Sequence, residues 1–85
     1  MKIIYSTLFE REYKKLPPEI KDSAEKRETL FRKDPFDSRL HTHKLKGKLS
    51  KFWAFSIDYS NRILFEFIDD DTVYFHSVGD HSIYD

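Results

Sequence analysis

The hydrophobic period of this chain changes at Asp34-Pro35, and the change divides it into a helical part and a strand part. Apolar residues before it recur at helical spacing, and those after it alternate as in half-buried strands. The chain opens with KIIY (2–5), a short β-branched run suited to a strand. Ser6 and Thr7 follow as helix-cap candidates, and Thr7 with Glu10 has capping-box spacing ahead of Leu8, Phe9, Tyr13 and Leu16. Pro17-Pro18 stops that helix and opens the next, because proline is tolerated in a helix's first turn but not in its interior. A second helix is predicted over about 18–33, with Ile20, Ala24, Leu30 and Phe31 on one stripe. Two helices at so tight a join make an αα-hairpin.

DPFDS is turn chemistry, and three alternating runs come after it. KFWAFSID (51–58) places Trp53, Phe55 and Ile57 on one face, and RILFEFI (62–68) does the same with Ile63, Phe65 and Phe67, leaving Arg62, Leu64 and Glu66 opposite. TVYFHSV (72–78) groups Val73, Phe75 and Ser77 against Tyr74, His76 and Val78. The joins DYSN and DDD are short enough for hairpins. The expected fold class is therefore α+β: an N-terminal strand, an αα-hairpin and an antiparallel β-meander, β-α-α-β-β-β-β, with the helices covering one sheet face. Arg62 falls on the other face, where an ion pair with Glu66 or Asp58 is its plainest structural explanation.

Eighty-five residues suit one domain, 1–85, and a chain of this size buries roughly 60–65% of its unfolded surface. Eight Phe and five Tyr must do most of that burial. With no Cys there is no disulfide and no thiolate nucleophile, which fits a reducing cytoplasm. The N-terminus carries charge where a signal peptide needs an apolar stretch, and no run approaches membrane-spanning length, so a soluble cytoplasmic protein is expected.

Formal charge is zero, but it is unevenly spread: residues 1–51 hold fourteen Lys/Arg and eight Asp/Glu, residues 52–85 one and seven. The segment RLHTHKLKGKLSK (39–51) has Arg39, Lys44, Lys46, Lys48, Lys51, His41 and His43 and no acid. Such a strip is the footprint a phosphate backbone requires, or equally a solvated lysine-rich loop.

No glycine-framed nucleophile and no phosphate-binding glycine loop occurs, since the only glycines are Gly47 and Gly79. His41 and His43 have HxH spacing, but no neighbouring cluster completes a ligand set, and neither a metal nor another cofactor is expected. What remains is histidines, Arg62, the lysine strip and a terminal tyrosine, a set that suits metal-free cleavage of a phosphodiester. That reaction needs a base for the ribose 2′-hydroxyl, an acid for the leaving 5′-oxygen, and a cation for the charge building on the phosphate. Histidine serves either proton role at neutral pH, and arginine presents a planar fork to phosphate. Each residue also has a structural reading: His43 as a loop cap, His76 as a sheet-surface residue, His81 with Tyr84 as a frayed tail.

The element order, the stretch HKLKGKLSKFWAFSID, the strand NRILFEF and the ending GDHSIY resemble the RelE/ParE superfamily of bacterial toxins, most closely its YafQ and YoeB branches. The resemblance covers almost the whole chain, and its specific part is 43–84. It implies the toxin of a type II toxin–antitoxin pair, a ribosome-dependent mRNA endonuclease neutralised by a cognate antitoxin. By the same resemblance His43 falls where the YafQ branch has its loop histidine and the YoeB branch a general-base glutamate, Arg62 on the strand arginine of the scissile phosphate, His81 on the G-x-H histidine and Tyr84 near the terminal aromatic, which implies His43 as base and His81 as its acid or base partner. Arg39, His41, Lys44, Lys46, Lys48 and Lys51 are then the RNA-binding residues, with ribosome and message as partners. Ser56 and Ser77 stand where YafQ-like members carry a histidine and an arginine, so Arg62 supplies the phosphate charge alone or with Lys44 and Lys46. Two other readings stay open: a ParE-like inhibitor of DNA gyrase that acts by binding, and a catalytically degenerate toxin that keeps only its antitoxin surface.

Overall fold

The computed structural model describes residues 1–84; Asp85, the last residue of the expected domain, lies outside the described residues. Strand β1 (Lys2–Tyr5) leads into helix α1 (Thr7–Lys14), and the join is made by Ser6. With extended backbone, φ −69° and ψ 160°, Ser6 accepts a hydrogen bond from the Phe9 N–H on its hydroxyl oxygen, at 2.8 Å. The same hydroxyl donates to the carbonyl of His76, at 2.6 Å. The cap is thus Ser6, and Thr7, expected to lead a capping box, is the helix's first residue. The chain leaves β1 still extended at Ser6, which is the backbone an N-cap needs.

Pro17 and Pro18 act as the sequence indicates, with Pro18 the first residue of α2 (Pro18–Lys33) and Asp34 leaving the helix in extended conformation. A single helical turn at Ser38–Leu40 then leads to β2 (His43–Lys44), and another at Gly47–Leu49 leads to β3 (Trp53–Ser56). Strands β4 (Arg62–Asp69) and β5 (Thr72–Gly79) complete a five-stranded sheet in the order β1-β5-β4-β3-β2. From β2 to β5 it is the expected antiparallel meander, while β1 returns to pair in parallel with β5, from Lys2 opposite Thr72 to Tyr5 opposite Phe75. Among the described residues no helix is long and apolar enough to cross a membrane.

The core lies between the helices and one sheet face. Phe31 of α2, fully buried, meets Phe55 of β3, Phe65 of β4 and Phe75 of β5 at ring-centroid distances of 4.8, 4.9 and 5.6 Å. One helical ring is thereby set against three successive strands, and such pairs contribute beyond their buried area.

The strict alternation read for β5 fails at one point. Leu64 pairs with Ser77 and Phe65 with Phe75, which leaves His76 as an extra residue, a β-bulge. The bulge reverses the parity beyond it. Val78 joins the core, and Ser77 falls on the face of Leu64 and Arg62, the reverse of the sequence expectation. Past the end of β1 this edge of β5 is served by side chains: Ser6 takes the His76 carbonyl and the Glu12 carboxylate accepts from the Val78 N–H at 3.1 Å. Strand β5 therefore ends with Gly79 directly opposite Arg62.

Candidate active-site cleft

The turn between β3 and β4, residues 58–61, is held from both sides. The Asp58 carboxylate accepts from the Ser60 N–H (2.9 Å), the Asn61 N–H (2.8 Å) and the Asn61 side-chain amide (3.1 Å). Burial works to raise the Asp58 pKa, but these donors and the Arg62 charge outweigh it and hold the carboxyl below its usual range. Arg62 in turn donates from Nη1 to the carbonyls of Asp58 (2.7 Å), Tyr59 (3.1 Å) and Asn61 (3.0 Å). Among the described residues it forms no ion pair, so the expected structural explanation through Glu66 or the Asp58 carboxylate gives way to carbonyl anchoring. Carbonyls fix the guanidinium without neutralising it.

Across from Arg62, Gly79 lets the chain fold back. A Cβ there would stand 3.0 Å from the Ile83 side chain, so glycine admits the turn at His81–Tyr84 this close without displacing Ile83. That turn is pinned by Asp80, whose carboxylate accepts from the Ser82 N–H at 3.0 Å and whose carbonyl accepts from the Ile83 N–H at 3.1 Å. The His81 and Tyr84 rings stand edge to face, 5.4 Å apart. Tyr84 is half-buried, and that burial raises its phenol pKa, opposed in part by the Arg62 charge, so the phenol keeps its proton at neutral pH.

His43 reaches the same place from edge strand β2, where it pairs with Ala54. Its Nδ1 lies 3.0 Å from the carbonyl oxygen of His41, a residue in left-handed conformation with φ 52°. A carbonyl can only accept, so in the neutral ring this contact places the proton on Nδ1 and leaves the lone pair on Nε2, the form a general base requires. His43, Arg62, His81 and Tyr84 line one open cleft of about 760 Å³ together with Tyr59, Ser60 and Asp80.

An adjoining groove of about 490 Å³ shares His43, Tyr59 and Arg62 with the cleft and adds Arg27, Arg39 and His41. Arg27 reaches it from α2, donating to the Arg39 carbonyl at 2.9 Å. Arg39 is not a free cation: Nε and Nη2 contact the Asp37 carboxylate at 3.0 and 2.8 Å, and this hydrogen-bonded pairing holds Asp37 down at about 2. Lys44, Lys46, Lys48 and Lys51 line neither groove. Lys44 lies exposed on β2, Lys46 and Lys48 lie in the loop around Gly47–Leu49, and the Lys51 ammonium sits 5.1 Å from the centre of the Phe52 ring. His76 packs 4.9 Å from Phe52 and is no part of the cleft. Among the described residues no group of three or more His, Asp or Glu is placed to hold a metal ion.

Tyr59, Ser60, Asp80 and Arg27 were not singled out by sequence reasoning. Tyr59 carried a usable signal, an aromatic in a turn that asks for small polar residues. Arg27, one of many charges along α2, carried none.

No protein-family profile matches the chain, and no curated protein matches it in sequence. Solved structures do match. The crystal structure of YafQ from E. coli strain BL21(DE3) superposes with a TM-score of 0.80 at 16% identity, covering 98% of this chain and 96% of that one. The YoeB/ParE toxin from Agrobacterium tumefaciens gives 0.80 at 14% identity, covering 95% and 99%. The E. coli DinJ-YafQ toxin-antitoxin complex gives 0.78 at 17% identity, covering 96% and 93%. The resemblance to the RelE/ParE superfamily thus holds at the level of the fold, which this chain shares with the YafQ and YoeB structures over nearly its whole length.

Proposed function

We propose that this chain is the toxin of a type II toxin–antitoxin pair and acts as a metal-independent, ribosome-dependent mRNA endonuclease. The observation that carries the reading is convergence: His43, Arg62, His81 and Tyr84, drawn from three separate parts of the chain, line one cleft on a fold shared with YafQ and YoeB. In this scheme His43 Nε2 takes the proton of a ribose 2′-hydroxyl, and the 2′-oxygen attacks phosphorus. His81 protonates the departing 5′-oxygen, so the products are a 2′,3′-cyclic phosphate and a free 5′-hydroxyl. Arg62 meets the charge on the phosphate oxygens, and the protonated Tyr84 phenol orients the substrate. DNA lacks the attacking group and is left intact.

The cognate partner is an antitoxin whose C-terminal segment lies over the sheet, with acidic residues facing the strip at 39–51. The test is expression of the wild-type chain beside His81→Ala and Arg62→Ala, with mRNA ends mapped and folding checked by circular dichroism. Wild type is expected to arrest growth with cuts in translated message, and each substitution to lower the cutting rate about 10²–10⁴-fold. If both variants stay folded and equally toxic, the endonuclease reading is wrong. A DNA-damage response with intact message identifies a gyrase inhibitor instead, and undisturbed growth with tight antitoxin binding identifies a degenerate toxin.

A further inference from the structure

Tyr59 is 96% exposed, the most solvent-exposed of the large hydrophobic side chains. A ring left in water contributes nothing to the core, yet this one stands on one of the most firmly tied turns of the molecule. The Asp58 carboxylate holds the backbone N–H groups of Ser60 and Asn61, and Arg62 holds the carbonyls of Asp58, Tyr59 and Asn61. Tyr59 also belongs to both grooves: it lines the cleft of His43, His81 and Tyr84, and the neighbouring groove of Arg27 and Arg39, with Arg62 common to the two. Among the described residues the carboxylates lining these grooves, Asp58 and Asp80, are both engaged as acceptors of turn N–H groups.

We infer that Tyr59 is a stacking platform for a nucleobase next to the scissile phosphate, and that the RNA strand passes over it from the Arg27 groove into the catalytic cleft. A cationic groove that follows the backbone, interrupted by an aromatic face for a base, is how proteins hold single-stranded nucleic acid. The ring and Arg62 share one rigid turn, so a phosphate held by the guanidinium leaves its neighbouring base beside Tyr59. Among the described residues the guanidinium's hydrogen bonds all go to main-chain carbonyls of the turn, so replacing the Tyr59 side chain leaves Arg62 anchored. The inference rests on the endonuclease reading and adds to it the residue that positions the strand.

The experiment measures cleavage of a defined message on programmed ribosomes by wild type, Tyr59→Ala, Tyr59→Phe and Tyr59→Trp. Tyr59→Ala is expected to lower kcat/KM about 5- to 140-fold, the range of one base–aromatic stack, through KM more than kcat. Tyr59→Phe and Tyr59→Trp are expected to recover the wild-type KM, because a π-face and not the hydroxyl is needed. The fold is expected to be unchanged, and circular dichroism and thermal melting check it. If Tyr59→Ala cleaves as wild type does, the platform is refuted while the endonuclease reading stands. If the wild-type chain itself leaves message uncut, the reading fails and the platform fails with it.

Discussion

Gly79 fixes how the tail meets the sheet. It pairs with Arg62 and packs against Ile83, and an added Cβ would stand 3.0 Å from the Ile83 side chain, tighter than ordinary contact. Gly79→Ala must therefore push Ile83 outward by a few tenths of an ångström, and with it the turn that carries His81 and Tyr84. The expected result is a modest loss of stability, on the order of 1 kcal/mol as for an unrelieved backbone misfit, beside a much larger loss of cutting rate. Thermal melting and cleavage on the same preparation separate the two. Rate and stability falling in proportion would mean that the tail is no part of the site. Trimming the obstruction in Gly79→Ala/Ile83→Ala is expected to restore part of the rate, because the close contact is removed while the two rings keep their turn.

Ser6 joins two elements with one hydroxyl, accepting from the first turn of α1 and donating to the carbonyl exposed by the β5 bulge. Losing an N-cap costs about 1 kcal/mol and a further net hydrogen bond about as much. Ser6→Ala is thus expected to lower the melting temperature by roughly 8–16 °C in a domain of this size, whereas Thr7→Ala, outside the cap, shifts it little. Equal effects from the two would return the cap to Thr7. The same region shows where the sequence was legible. Pro17-Pro18 located both helix boundaries, because proline's missing N–H and fixed φ act through the local chain alone. Alternation placed β3 and β4 correctly for the same reason. The β5 bulge escaped because His76 is extra only relative to β4, and pairing partners are not written in a strand's own period. The parallel return of β1 onto β5 is likewise a non-local choice. The site followed this division: its titratable residues were legible as chemistry, and their convergence depended on the bulge, on Gly79 and on the turn at 58–61.

At the scale of the whole molecule, zero net charge sets a limit on affinity for a polyanion, and the arrangement of charge decides how much of the basic strip is usable. Lys44, Lys46, Lys48 and Lys51 make no ion pair among the described residues, whereas Arg39 is clamped by Asp37. The Asp37 carboxyl, near 2, stays ionised at any pH where RNA binding is measured, so that clamp does not release on its own. Each phosphate neutralised on a single strand contributes about −0.7 to the slope of log K against log salt. The four free lysines together with Arg62 then give a slope of about −3.5, shallower than a uniformly basic ribonuclease of this size would show. Asp37→Ala frees Arg39 beside the Arg27 groove and removes a repelling charge from it. That variant is expected to bind a 2′-deoxy-substituted, uncleavable RNA strand more tightly at low salt, with the slope steeper by about 0.7. Fluorescence anisotropy over a salt series measures both quantities. If the slope does not move when Asp37 is removed, Arg39 makes no phosphate contact and the strand does not run through the Arg27 groove.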